Sequence, residues 1–249
     1  QYKFDRLKQR EKFKPEQTAA KLLNNIRNLL KLNKVPTQIQ CFDNSNIQGS
    51  DAVAACVVYK MAKPSKKDYR KYNIKSVVGP DDYASMKEVV RRRYSRLIEE
   101  ESPLPQLIIA DGGIGQMEVI REVIEDELNL SIPIAGLAKN EKHKTKELLF
   151  GFPPKVIGMD PNDEVFRFFA SIQDEVHRYA IKFHREKRSK NQVKSELEIK
   201  GIGPKTREQL IKRFKSVKRI KELSINELEN EIGNSKAQII FQYFHKDNK

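Results

Sequence analysis

The sequence predicts an α/β domain, a mixed sheet with flanking helices, followed by a small all-α domain. Three observations carry this. Short apolar, β-rich runs alternate with helix-periodic stretches up to about residue 188. A strand–helix–strand unit from Leu107 to Leu137 follows three strands joined by short turns. Beyond the polar, basic stretch Ser189–Ser195 no strand signal remains, and short helices are broken at Gly.

In order, residues 1–14 read as a polar, frayed lead-in, and Pro15 opens a helix to about Leu32. Its apolar stripe is Ala19, Leu22, Leu23, Ile26, Leu29 and Leu30. Strands are expected at 37–43, 52–60 and 69–78, with short polar gaps that suggest an antiparallel meander. Asp81 and Asp82 suit the positive end of a helix running to about Glu100. Strand 107–111, a Gly112-Gly113 turn, helix 116–128 and strand 133–137 form a parallel crossover. A hairpin is expected between 148–150 and 156–157, then a long helix from 162 to 188. This order is that of ribonuclease-H-like folds. The expected domains are a helical lead-in at 1–35, the sheet domain at 36–192 and a tandem hairpin domain at 193–249.

Composition narrows the partner. A net charge of +14 and a pI near 9.6 favour a polyanion, either nucleic acid or an acidic membrane surface. No apolar run approaches a membrane span, and the start has no apolar signal core. The two cysteines, Cys41 and Cys56, form no CxxC pair and read as reduced, buried thiols of a cytoplasmic protein. The basic excess is concentrated: Lys182 to Lys221 holds fifteen Lys or Arg against four Glu.

Two strands end alike. Asp43 closes Thr37–Phe42 and Asp111 closes Leu107–Ala110. A carboxylate ending an apolar strand is costly to bury unless it is paired or holds a cation. If the strands are neighbours, the two acids repel and a divalent cation relieves them. Hard oxygen donors suit Mg²⁺ or Mn²⁺. Turn capping also explains either Asp alone, and Asp111-Gly112-Gly113 is a turn signal in itself. His177 sits at the edge of the stripe Val165, Phe169, Ile172, Val176 and Phe183. It is a candidate third ligand or proton-transfer group, against the plainer reading of a half-buried, bonded His. His184, two turns on, is too far to share the ion and is better placed against phosphate. Arg185 and the helix-borne Arg92 and Arg93 are candidates for phosphate contact, the arginines of the second helix against the plainer reading of a solvated face.

Ile199-Lys200-Gly201-Ile202-Gly203-Pro204-Lys205-Thr206-Arg207 reads as a tight hairpin between helices. Glycines let the backbone turn sharply, and the exposed amides with the next helix N-terminus suit a phosphate. Lys205 and Arg207 add charge. A weaker copy, with Gly233 and Lys236, follows at 231–237. Two such hairpins would grip both strands of a duplex with little sequence readout.

Taken together, Cys41–Gly49, Gly79–Tyr83, Arg91–Tyr94, Ile109–Gln116 and Gln173–Ala180 resemble the C-terminal half of the UvrC family, nuclease subunits of bacterial nucleotide excision repair. The resemblance covers nearly everything from residue 37 on. It implies a ribonuclease-H-like endonuclease with an Asp-Asp-His site, here Asp43, Asp111 and His177, that needs a divalent metal and cuts 5′ of a lesion in damaged double-stranded DNA. It also implies an N-terminal nuclease domain of the GIY-YIG type and a segment binding the UvrB subunit. Neither is recognisable here, and the chain lacks an initiator Met, so it is expected to be a C-terminal fragment. Two departures are visible. The family's glycine-rich turn commonly has Lys where this chain has Ile114, and its first-strand motif often ends Ile-Ser-His where this chain has Asn44-Ser45-Asn46. The readings kept beside this one are another ribonuclease-H-like nuclease, for hybrid or junction substrates, and a non-catalytic DNA-binding module.

Overall fold

The strands join into one mixed sheet because the central ones are apolar on both faces and must be covered on both sides. The computed structural model describes residues 2–45, 53–77, 81–139 and 145–245, with side chains at 16–44, 53–77, 81–139, 147–187 and 196–245. Motif residues 46–49 and Gly79-Pro80 lie outside the described residues. The strands are β1 (Gln38–Ser45), β2 (Val53–Lys60), β3 (Lys63–Pro64), β4 (Arg70–Asn73), β5 (Leu107–Ala110), β6 (Ile134–Lys139), β7 (Thr145–Phe150) and β8 (Lys155–Ile157). Their order is β3-β2-β1-β5-β6-β7-β8, with β4 also on β2. β1 and β2 are antiparallel, β1–β5 and β5–β6 parallel, and β6–β7–β8 antiparallel.

The expected third meander strand, 69–78, is shortened to β4, and a two-residue strand, β3, precedes it. β3 takes one end of β2 and β4 the other. A 3₁₀ turn at Lys66–Asp68 separates them, closed by Ser65 Oγ donating to Asp68 Oδ2 at 2.6 Å. The crossover and the 148–157 hairpin form as expected, and the helix after Gly113 becomes α-helical at Ile114–Arg121 and π-helical at Glu122–Glu127.

Helix α1 runs Tyr2–Leu29, so Pro15 lies inside it instead of opening it. The preceding residues are rich in Lys, Arg, Glu and Gln, which are good helix formers. Leu22, Leu23, Ile26 and Leu30 join the sheet's own core, whereas Leu29 is 36% exposed. Helix α2 (Asp82–Glu99) starts where Asp81 Oδ1 accepts the amide of Ala84 at 2.9 Å. It is pinned to the sheet by Asn44 Nδ2 donating to the carbonyl of Asp82 at 2.7 Å. Helix α3 is Ile114–Arg121.

Helix α4 runs Glu164–Glu196, through the residues expected as a linker. Ser189–Ser195 contains neither Gly nor Pro, and its Lys, Gln and Val residues leave the backbone ladder unbroken. Val165, Phe169, Ile172, Val176 and Ala180 are buried along one stripe, and Phe183 is half-buried with the Lys71 ammonium 5.1 Å from its ring centre. The chain divides into two compact units, Gln1–His184 and Arg185–Lys249. The second unit has its own core, including Leu197, Ile202, Leu210, Ile220, Leu228 and Ile240. Its helices are α5 (Pro204–Phe214), α6 (Val217–Lys221), α7 (Ile225–Ile232) and α8 (Asn234–His245). α7 opens with a capping box between Ser224 and Glu227. Among the described residues no helix is long and apolar enough to cross a membrane.

Gly136 of β6 is a position where only glycine fits. A Cβ there would lie 2.6 Å from Met117 Sδ and 2.9 Å from the carbonyl oxygen of Gly112, the turn that follows Asp111. Gly136→Ala is therefore expected to destabilise the first unit by about 1–3 kcal/mol through overpacking. Urea unfolding followed by circular dichroism measures this, and an unchanged midpoint would show that the turn yields freely.

Candidate active site

Parallel pairing of β1 and β5 sets Phe42 beside Ala110, so the next residue of each strand brings Asp43 beside Asp111. The amide of Asp111 donates to the carbonyl of Phe42 at 2.9 Å, extending the ladder by one bond. Asp43 and Asp111 are both buried, at 5% exposure. His177 comes from α4, with Nδ1 3.2 Å from Asp43 Oδ2 and half its side chain exposed. One ligand atom from each of the three residues lies within 4.8 Å of the others. The residues predicted as a site are brought together.

Asp111 has two further partners. Gln173 Nε2, one turn before His177 on α4, donates to Oδ1 at 2.7 Å and to the carbonyl of Leu137 at 2.8 Å. The Lys139 ammonium donates to Oδ2 at 2.8 Å. Burial, then the charge of Asp43, pushes the Asp111 carboxyl up to about 6, against the pull of Lys139 and Gln173. The hydrogen bond to Asp43 raises the His177 imidazole above its usual value, with burial opposing. Cys41 shares the strand face of Asp43, but burial and then the charges of Asp111 and Asp43 push its thiol well up. It stays a neutral packing group. Two buried carboxylates and an imidazole form an oxygen and nitrogen donor set, which fits a divalent metal ion.

Neither Lys139 nor Gln173 was predicted. The signal for Lys139 was present: it closes the apolar run Ile134–Ala138 as Asp43 and Asp111 close theirs. Gln173 had no such signal, since a Gln on a helix face is ordinary.

In the basic run on α2 the correction falls on Arg93. Arg93 is 8% exposed, with Nε 3.2 Å from Gln40 Oε1 inside the core. Arg92 donates to Glu88 and to the carbonyl of Asn73, at 2.8 and 2.9 Å. Arg91 makes a two-bond pair with Glu127 at 2.6 and 2.7 Å. Burial opposes ionisation of Glu88, but Ser76, Lys75 and Arg92 bond it strongly enough to pull it down to about 2. These arginines tie α2 to its neighbours, and a buried Arg93 is out of reach of phosphate. His184 is also out of reach, being 6% exposed as the next member of the α4 stripe. Arg185 is exposed.

In the second unit, Gly201 has φ +93° and Gly233 φ +80°, conformations that L side chains rarely adopt. Gly203 begins α5 with Pro204 at the first helical position. Gly201, Gly203, Lys205, Gly233 and Lys236 are all exposed. The first hairpin lines an open concavity of about 530 Å³. Arg207 is half-buried and turns back on that hairpin, its Nε donating to the carbonyl of Ile202 at 3.0 Å. It shapes the loop more than it projects from it.

Comparison with known proteins places these features. A family profile described as "UvrC RNAse H endonuclease domain" matches residues 10–181, and one described as "Helix-hairpin-helix motif" matches residues 193–249. UvrABC system protein C of Bacteroides thetaiotaomicron is 70% identical over 241 residues, covering 96% of this chain and 40% of the relative. That of Porphyromonas gingivalis is 49% identical over 249 residues, covering 99% of this chain and 41% of the relative. The chain thus spans about 40% of the length of these relatives. Among solved structures, human ENDOV is 12% identical, covering 63% of this chain and 86% of that one, with a TM-score of 0.33.

The charge state of the site makes a pH-dependent expectation. Asp111 has a folded pKa of about 6 against an ordinary value of 3.8, so its protonated form adds stability that is lost as pH rises through about 6. His177 acts in the same direction, losing its contribution as pH rises through its raised value. A cation held by these groups would therefore compete with protons at low pH. Saturation with Mn²⁺ at about 100 times its Kd should stabilise the first unit by about 2.7 kcal/mol at pH 7.5 and much less at pH 5. Thermal unfolding at the two pH values checks this; equal shifts at both would rule out binding at Asp111.

Proposed function

Because the chain belongs to the UvrC RNase H endonuclease family, we propose that it hydrolyses a phosphodiester of damaged double-stranded DNA, on the 5′ side of the lesion, using Mg²⁺ or Mn²⁺. The observation that carries this reading is the meeting of Asp43, Asp111 and His177, with ligand atoms within 4.8 Å of one another. These three residues would hold the cation. When bound, the cation supplies Lewis acidity, activating a water nucleophile and neutralising charge on the scissile phosphate.

The protein's own groups prepare the site. Gln173 holds Asp111 by Oδ1 and is itself anchored on Leu137, so the carboxylate keeps one orientation. His177 faces Asp43 through Nδ1 at 3.2 Å. It serves either as a ligand or as the group that carries a proton to the leaving 3′ oxygen, and its raised pKa suits the second role. The exposed hairpin residues Gly201, Gly203, Lys205, Gly233 and Lys236 suit backbone contacts to phosphate, which makes affinity salt-dependent. Lesion choice then falls to the full-length protein acting with the UvrB subunit.

The test is nicking of end-labelled lesion or bubble DNA in Mn²⁺. Asp111→Ala should abolish cutting while retaining DNA binding by mobility shift. Gln173→Leu should lower activity about 10- to 100-fold, as for other groups that orient a metal ligand. Undiminished cutting by Asp111→Ala would remove the proposed centre, and a preference for RNA–DNA hybrid would replace the substrate.

A further inference from the structure

Building on the metal-dependent reading above, we infer that the Lys139 ammonium stands in for a second metal ion. The centre takes one divalent cation per chain, and Lys139 supplies the other positive charge to the bound phosphodiester.

Three observations carry this. The first is position. β6 pairs with β5 so that Gly136 lies beside Ala110, which sets Leu137 beside Asp111. Lys139 lies two residues on, just after a register irregularity between Ala138 and Lys139. Its Nζ reaches Asp111 Oδ2 at 2.8 Å from a side chain 25% exposed, whereas the Asp111 side chain is fully covered.

The second is occupancy. Gln173 engages Oδ1 of Asp111 and Lys139 engages Oδ2. Two-metal centres place their ions about 3.5–4 Å apart and clamp both the attacking and the leaving oxygen. Lys139 holds its positive charge against Asp111 Oδ2, so a second divalent ion beside that oxygen would meet like-charge repulsion.

The third is charge balance. Asp43, Asp111 and one phosphodiester carry three negative charges between them. With His177 neutral as a ligand, one divalent ion and one ammonium match these, whereas two divalent ions and the ammonium would leave the site strongly positive. Lys139 also completes a pattern, because the adjacent strands β1, β5 and β6 each bring a charged residue, at or near the strand end, into this cluster.

Counting bound Mn²⁺ on the purified chain, by electron paramagnetic resonance of free ion during a titration at pH 7.5, tests the inference. The wild type and Lys139→Arg should each bind about one ion, and Lys139→Met about two. Nicking by Lys139→Met should be depressed at low Mn²⁺ and partly restored, with a sigmoidal dependence, as the second ion enters. A purely structural role for Lys139 would not produce that rescue. If Lys139→Met fails to fold by circular dichroism, Lys139→Gln takes its place. Two ions on the wild type, or one ion on both the wild type and the uncharged variant, would overturn the inference. A wild type that binds no Mn²⁺ would overturn the metal-dependent reading beneath it.

Discussion

The parallel pairing of β1 with β5 is the constraint on which the centre depends. It places two chain segments far apart in sequence in register, so that Phe42 lies beside Ala110 and their next residues are Asp43 and Asp111. The ladder bond from the Asp111 amide to the Phe42 carbonyl extends that register to the acid itself. Parallel neighbours cannot be joined by a tight turn, so everything between them serves as a connection. That connection contains β2, β3, β4 and α2, and α2 in turn is tied back to β1 through Asn44 and Asp82. A slip of one residue in β1 would turn Asp43 to the opposite face and dismantle the site.

Holding two carboxylates together in a buried place is unfavourable, and the surroundings are arranged to offset it. The Lys139 ammonium and the Gln173 amide meet one acid, and the His177 imidazole meets the other. The compensation is incomplete, which is why the Asp111 carboxyl remains well above the ordinary carboxylate range. A site balanced in this way is held near its working geometry and still favours an added cation. The neighbouring thiol of Cys41 takes no part, because burial and the two acids keep it protonated.

Positive charge has two separate settings in this chain. On α2 the three arginines face carboxylates, a carbonyl and a buried amide of the protein itself, and they hold that helix in place. In the second unit Lys205 and Lys236 are exposed beside glycines whose positive or open backbone bares the hairpin amides. A count of basic residues along the sequence cannot separate these two uses. The difference lies in whether a carboxylate such as Glu88 or Glu127 comes within reach, and that is decided by packing.

The fold was largely legible because periodicity reports burial. Alternating apolar runs ended at polar turns gave the main strands, and the crossover order restricted the topology to few arrangements. The acids were legible as exceptions, polar groups at the ends of apolar strands, and glycines at 201 and 233 were legible because no other residue takes those backbone angles freely. What the tertiary structure alone decided is how those exceptions are partnered. Lys139 and Gln173 reach Asp111 only because β6 and α4 pack against β5, while Arg93 and His184 lose their access to solvent for the same reason of packing. A residue's type and spacing determine what chemistry it can perform. Which neighbour occupies its hydrogen-bonding atoms depends on contacts between segments distant in the chain, and local sequence carries no record of them.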